Sequence, residues 1–230
     1  MENKSVQAEI SSYIGKLLRE TFGKGPSSVY VSLSKAFVTM HLRDFLAPME
    51  RVLVSQEKEM KVEETRDFLM QELLPEIKAT FKVGFNLIVI EMYYDWSLQN
   101  RSGTLICVLE KEGEHHMLLE DYPEKKAIHN EIGRISKLAE KSPEFLDSCF
   151  LNDRTLLAVR EGILVRIEKE MIHNGFEEPL KLSKRRLEKS LLHQSNFEEI
   201  LNVSIVDIFV DWDFKLDKSY ILLILMPKKE

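Results

Sequence analysis

Phe85-Asn86-Leu87-Ile88-Val89-Ile90-Glu91-Met92-Tyr93-Tyr94-Asp95-Trp96 has a counterpart in Leu201-Asn202-Val203-Ser204-Ile205-Val206-Asp207-Ile208-Phe209-Val210-Asp211-Trp212, at a constant offset of 116. The chain's two tryptophans fall on each other, and each follows an aspartate. Both segments alternate, as a strand with two distinct faces does. Ile90, Met92, Tyr94 and Trp96 take one face and Glu91, Tyr93 and Asp95 the other; the second copy sets Val206, Ile208, Val210 and Trp212 against Asp207, Phe209 and Asp211. The tryptophans are then core anchors, and the carboxylates form an acidic outer face.

The repeat extends outward from these strands. Leu105-Ile106-Cys107-Val108-Leu109 falls on Ile221-Leu222-Leu223-Ile224-Leu225 at the same offset, and Met49-Glu50-Arg51 falls on Ile167-Glu168-Lys169 at 118. A self-similar chain is read as an array of units before any motif is weighed. In the first copy, Val6, Ile10, Ile14 and Leu17 make an amphipathic helix that stops at Gly23-Lys24-Gly25-Pro26. Val29 to Leu33 and Phe37 to Leu42 read as a hairpin with Ser34-Lys35 near its turn. A short helix with Asp44 as N-cap and Pro48 in its first turn follows. A second helix begins near Val62, with Pro75 expected to break or kink it. Phe85 to Trp96 and Thr104 to Leu109 close the unit as a second hairpin. The expected fold is α+β: two tandem homologous domains, residues 1–112 and 127–230 with a linker at 113–126, each an antiparallel sheet with helices on one face, in the order α-β-β-α-α-β-β.

The 230 residues are 44% hydrophobic and 30% charged, the proportions of a packed globular protein. A net charge of -6 gives no electrostatic reason to approach nucleic acid. The N-terminus lacks the apolar run of a secretory signal, and Ile221 to Met226 is far shorter than a bilayer span, so a cytoplasmic protein without a membrane span is expected. Cys107 and Cys149 sit among apolar neighbours and form no CxxC pair, as buried reduced thiols would.

The chemistry-bearing residues give two candidate sites. Glu91 and Asp95, with Asp207 and Asp211, form the acidic strand face; four strand residues apart, about 14 Å, the two carboxylates of one copy cannot share a proton or a metal ion. Lys24 and Gly25 lie in a glycine-rich loop whose freed backbone N–H groups could meet an anion, with Arg66 supplying a bidentate fork. That loop leaves a helix and enters a strand, the reverse of a phosphate loop, and the second copy replaces it with Glu140-Lys141-Ser142-Pro143. His41, His115, His116, His129, His173 and His193 offer no spaced ligand set, although His115-His116 could bind stray metal. No GxSxG, HExxH or GxGxxG pattern occurs, so no cofactor and no catalytic residue is expected.

Phe22-Gly23-Lys24-Gly25-Pro26, Phe45-Leu46-Ala47-Pro48-Met49-Glu50, Val62 with Arg66, and Gly84 to Asp95 together resemble the MpsC-like domain family of bacteria. The second copy keeps Glu168, has Lys184 opposite Arg66 and retains Asp211-Trp212, but lacks the Gly-Lys-Gly-Pro word. The resemblance implies association with a Na+-translocating membrane potential-generating system linked to inorganic-carbon uptake, and no established reaction. The expected role is therefore a non-enzymatic accessory or regulatory module that binds a membrane transport protein or a second copy of itself. The alternatives are an anion or small-molecule sensor using Lys24, Gly25 and Arg66, and an enzyme of unknown reaction. Tandem duplication further suggests that the two copies pack by a pseudo-twofold relation.

Overall fold

The computed structural model describes residues 2–34, 36–110 and 120–226, with side chains described from residue 5 onward. The chain divides into two compact units, Met1–Glu114 and His115–Glu230. The first contains α1 (Glu2–Phe22), β1 (Ser28–Leu33), β2 (Phe37–Arg43), α2 (Pro48–Ser55), α3 (Glu59–Phe85), β3 (Val89–Ser97) and β4 (Ser102–Leu109). The second contains α4 (Lys125–Ala139), β5 (Phe145–Asn152), β6 (Thr155–Glu161), α5 (Arg166–His173), α6 (Glu177–His193), α7 (Phe197–Leu201), β7 (Ile205–Asp213) and β8 (Lys218–Leu225). Each unit has a four-stranded antiparallel sheet, ordered β1-β2-β4-β3 in one and β5-β6-β8-β7 in the other. The α+β tandem architecture expected from the repeat is thus present. Residues 113–119 of the expected linker lie outside the described residues, and its last two, Lys125 and Lys126, already belong to α4.

Backbone irregularities repeat with the sequence. Asn86 and Asn202 end their helices in the left-handed conformation, at φ 55° and 51°. Asparagine tolerates that region better than most residues, and the amide of each bonds back into the preceding turn. Both tryptophan strands carry a bulge, between Val89 and Glu91 and between Ile205 and Asp207. This overturns one detail of the expected alternation. The extra residue turns Ile90 and Val206 outward, and Val89 and Ile205 pack on the helix side instead.

Trp96 and Trp212 are buried at equivalent places, paired across the sheet with Gly103 and Ser219. Trp96 lies so close to Gly103 that an added Cβ would meet its ring at 2.5 Å, so the first sheet needs a glycine there. One core packs α1, α2 and α3 on β2, β3 and β4 through Ile14, Phe45, Ile77 and Trp96; another uses Ile132, Leu164, Leu192 and Trp212 in the same way. Residues on the opposite face are buried as well in the inner strands: all eight positions of β4 are buried, and so is Phe209 of β7.

Two helix expectations are corrected. α3 runs unbroken through the exposed Pro75, so the expected break does not occur. Its counterpart in the second unit has no proline at that point and breaks into α6 and α7, where the offset falls from 118 to 116. Asp44 is not the cap of α2. It sits at φ 49° in the preceding turn, and Ala47 holds the N-cap position.

Candidate functional site

Each unit has a buried charge centre where the short helix meets the long one. In the first, Pro48 starts α2, and Glu50, in its first turn, bends back to accept the Ala47 backbone N–H at 2.7 Å. The same carboxylate takes a two-point contact from Arg66 on α3, Nε to Oε1 and Nη2 to Oε2, both at 2.7 Å. Arg66 Nη2 also donates to the Phe45 carbonyl at 2.9 Å. The guanidinium is completely buried, with Cζ 4.6 Å from the Phe45 ring centre, 4.8 Å from that of Trp96 and 5.8 Å from that of Phe22. A planar, weakly hydrated cation stacks on aromatic faces while its edge holds a carboxylate, a combination lysine cannot supply.

The second unit builds the same corner with different chemistry. Glu168 in the first turn of α5 accepts the Val165 N–H at 2.9 Å, and Lys184 of α6 donates to its other oxygen at 2.9 Å. Lys184 also binds Glu140, which follows α4, and its Nζ lies 5.6 Å from the Trp212 ring centre. Around this pair the apolar residues of the first unit are replaced. Phe22, Leu42 and Met70 become Glu140, Arg160 and Glu188 at the 118 offset, and Gly103 becomes Ser219 at 116. Arg160, fully buried, donates to Glu188 at 2.6 Å, Ser136 at 3.0 Å and Ser219 at 2.9 Å. Glu188 also accepts the Trp212 indole N–H at 3.0 Å.

The sequence-derived candidates meet mixed outcomes. Lys24 and Arg66 do not form an open anion site. Lys24 Nζ donates to the Asp44 carbonyl at 2.9 Å and its carboxylate at 3.3 Å, while Arg66 is turned inward onto Glu50. Gly25 has a packing reason instead of an anion-binding one: a Cβ there would lie 2.8 Å from the Gly15 carbonyl oxygen. The acidic outer face is also corrected. Glu91 is half-buried and accepts the Tyr93 hydroxyl at 2.8 Å, but Asp95, Asp207 and Asp211 are buried. Asp95 accepts the Trp96 backbone N–H at 2.7 Å, and Asp211 pairs with Lys181 at 2.8 Å. The expectation failed because it assumed one wet face, whereas β4 and the tryptophan strands bury residues on both faces.

Glu50 and Glu168 were legible in principle: an acid followed sixteen residues later by a cation recurs in both copies. Glu140, Arg160 and Glu188 have no charged counterparts, so the repeat gave no signal for them. A second polar cluster, also missed, joins α4 to the edge strand β5. There the fully buried Ser148 hydroxyl lies 2.8 Å from His129 Nε2 and 2.7 Å from the Tyr122 hydroxyl. Burial lowers the His129 pKa against the opposing charge of Asp147. The spacing of Ser148 and His129 is that of a nucleophile and its base, with the hydroxyl buried. Among the described residues no group of three His, Cys, Asp or Glu side chains could hold a metal ion, and no helix is long and apolar enough to cross a membrane. His115-His116 lies outside the described residues.

Comparison with known proteins adds one finding. Residues 2–111 match the family described as Na+-translocating membrane potential-generating system (MpsC), so the first domain is an MpsC-like domain. Neither the curated proteins nor the solved structures give a match.

Proposed function

We propose that the chain is a cytoplasmic, non-enzymatic accessory or regulatory module of a membrane ion or inorganic-carbon transport system, and that it docks through its MpsC-like domain. The observation that supports this reading is a surface of that domain. α2 has no buried residue, although it carries four large apolar side chains in eight positions. Met49 and Val52 of α2 are exposed, as are Met60 and Phe68 of the first half of α3, with Met49 at 79% and Phe68 at 64%. Exposed apolar groups gathered on two successive helices mark a contact surface more often than an ordinary one. At the matching places the second domain has Ile167, Glu170, Glu178 and Arg186, so only one of the four remains apolar. The family match, which covers the first domain, puts docking there in this reading.

The family description supports a membrane system as the class of partner. The apolar positions are interspersed with Glu59, Glu63 and Glu64, acids suited to pair with the Lys- and Arg-rich cytoplasmic segments of membrane proteins. The test is affinity capture from membranes of the native cell with the wild-type chain and with a Met49→Asp, Phe68→Asp variant. Both changes are at exposed sites and should leave folding intact. A transport protein retained by the wild type and lost by the variant is the expected outcome. Equal retention by both would remove the α2–α3 surface from the proposal, and absence of any transport protein would remove the function.

A further inference from the structure

We infer that the second domain carries a pH-responsive element: Glu140, Glu168 and Glu188 gather around Lys184 and Arg160, and this cluster takes up a proton as the pH falls. Its surroundings contribute polar neighbours from every adjoining element. Ser136 comes from α4, Arg160 from β6, Glu168 from α5, Lys184 and Glu188 from α6, Trp212 from β7 and Ser219 from β8. Lys184 is shared by Glu140, Glu168 and, at 3.8 Å, Glu188; Arg160 serves Glu188 at 2.6 Å. Three carboxylates share these two cations in a site where all five side chains are less than a tenth exposed. Crowding of buried carboxylates is relieved by neutralisation, here by a proton.

The electrostatics single out Glu140. Burial raises its carboxyl above the ordinary value of 4.5, to about 7; the Glu188 charge adds to the rise and Lys184 opposes it. A carboxylate whose folded pKa is raised favours the fold in its protonated form. That contribution is complete below about 4.5 and is lost as the pH rises through about 7. The resulting repulsion falls on Lys184, which ties the residue after α4 to the first turn of α5, so those two segments should loosen at higher pH. The first domain is the internal control. Phe22, Leu42 and Met70 occupy the three corresponding positions there, and one guanidinium faces one carboxylate.

The experiment is a carbon-detected NMR titration of the full chain, with glutamate carboxyl carbons labelled, from about pH 4 to about pH 9, a range that spans the ordinary and the raised carboxyl values. One glutamate carbon should titrate near neutrality in the wild type and not in Glu140→Gln. Amide hydrogen exchange, corrected for its intrinsic pH dependence, should quicken around residues 140–144 and 165–170 at the upper end in the wild type alone. If Glu140→Gln does not fold, Glu188→Gln should lower the wild-type midpoint by removing the charge that helps raise it. Every glutamate carbon titrating below about pH 5.5 would overturn the proposal. So would a neutral-range titration with no change in exchange, because the cluster would then be an inert buffer.

Discussion

The two domains place an acid from a short helix against a base from a long one, under a tryptophan from the third strand, and then surround that pair in opposite ways. In the first, the Arg66–Glu50 pair is one cation with one carboxylate, lined by Phe22, Phe45 and Trp96. In the second, Lys184 and Glu168 belong to a larger network in which Glu140, Glu188 and Arg160 replace apolar neighbours. The difference teaches that the geometry of the corner is what duplication preserved. The acid's retained task is local: closing the N-terminus of α2 or α5 by bonding back to the N-cap amide. What holds the rest of the centre together was free to change from aromatic packing to charge.

The largest effect should come from removing the acid. Glu50→Ala leaves Arg66 buried among rings with only the Phe45 carbonyl to bond, and a stranded buried charge costs about 3 to 5 kcal/mol. Glu168→Ala should cost about 1 to 2 kcal/mol, a lost cap and a lost hydrogen bond, because Lys184 keeps Glu140. Hydrogen exchange followed separately in the two domains under increasing urea measures both. Equal losses would mean that the surplus carboxylate does not compensate Lys184.

Replacing each pair with apolar residues sharpens the comparison. Glu50→Leu with Arg66→Met should leave the first domain within about 1 kcal/mol of wild type, or stabilise it, since the surroundings are already apolar and removing both partners strands neither. Glu168→Leu with Lys184→Met should destabilise the second domain by about 2 to 4 kcal/mol, because Glu140 is left buried without its cation. The same denaturation measurement applies, and a reversed order would show that the first centre depends on charge more than on packing.

The smallest effect concerns the long helix. Pro75→Ala should stabilise the first domain by about 1 kcal/mol, less than the roughly 3 kcal/mol of an interior helical proline, since α3 already runs unbroken through this exposed position. The thermal midpoint checks it. Stabilisation as large as the interior value would mean that Pro75 strains α3 after all.

The repeat could be read from sequence because strand alternation, the Asp-Trp words and the two offsets are local patterns that a linear comparison detects. They predicted two α+β domains, antiparallel hairpins and equivalent tryptophans, all of which are present. They also placed Glu50 with Glu168 and Arg66 with Lys184 at matching positions. The pattern could not reveal that a bulge turns Ile90 and Val206 outward, since a bulge changes the period by one residue without changing composition. Nor could it reveal which faces are covered. Asp95 and Asp211 look like solvated strand residues until the tryptophan strands are found to bury residues on both faces. Whether a charge lies in water or in a low-dielectric interior depends on what packs over it, and the groups that decide it are far apart in the chain: Arg160 meets Glu188 across 28 residues and Ser219 across 59. The sequence by itself determined the elements, their order and their duplication through local periodicity. Only the tertiary structure decided that Arg66 faces Glu50 and not an anion, and that Glu140, Arg160 and Glu188 form one centre, because burial and long-range pairing have no period in the sequence.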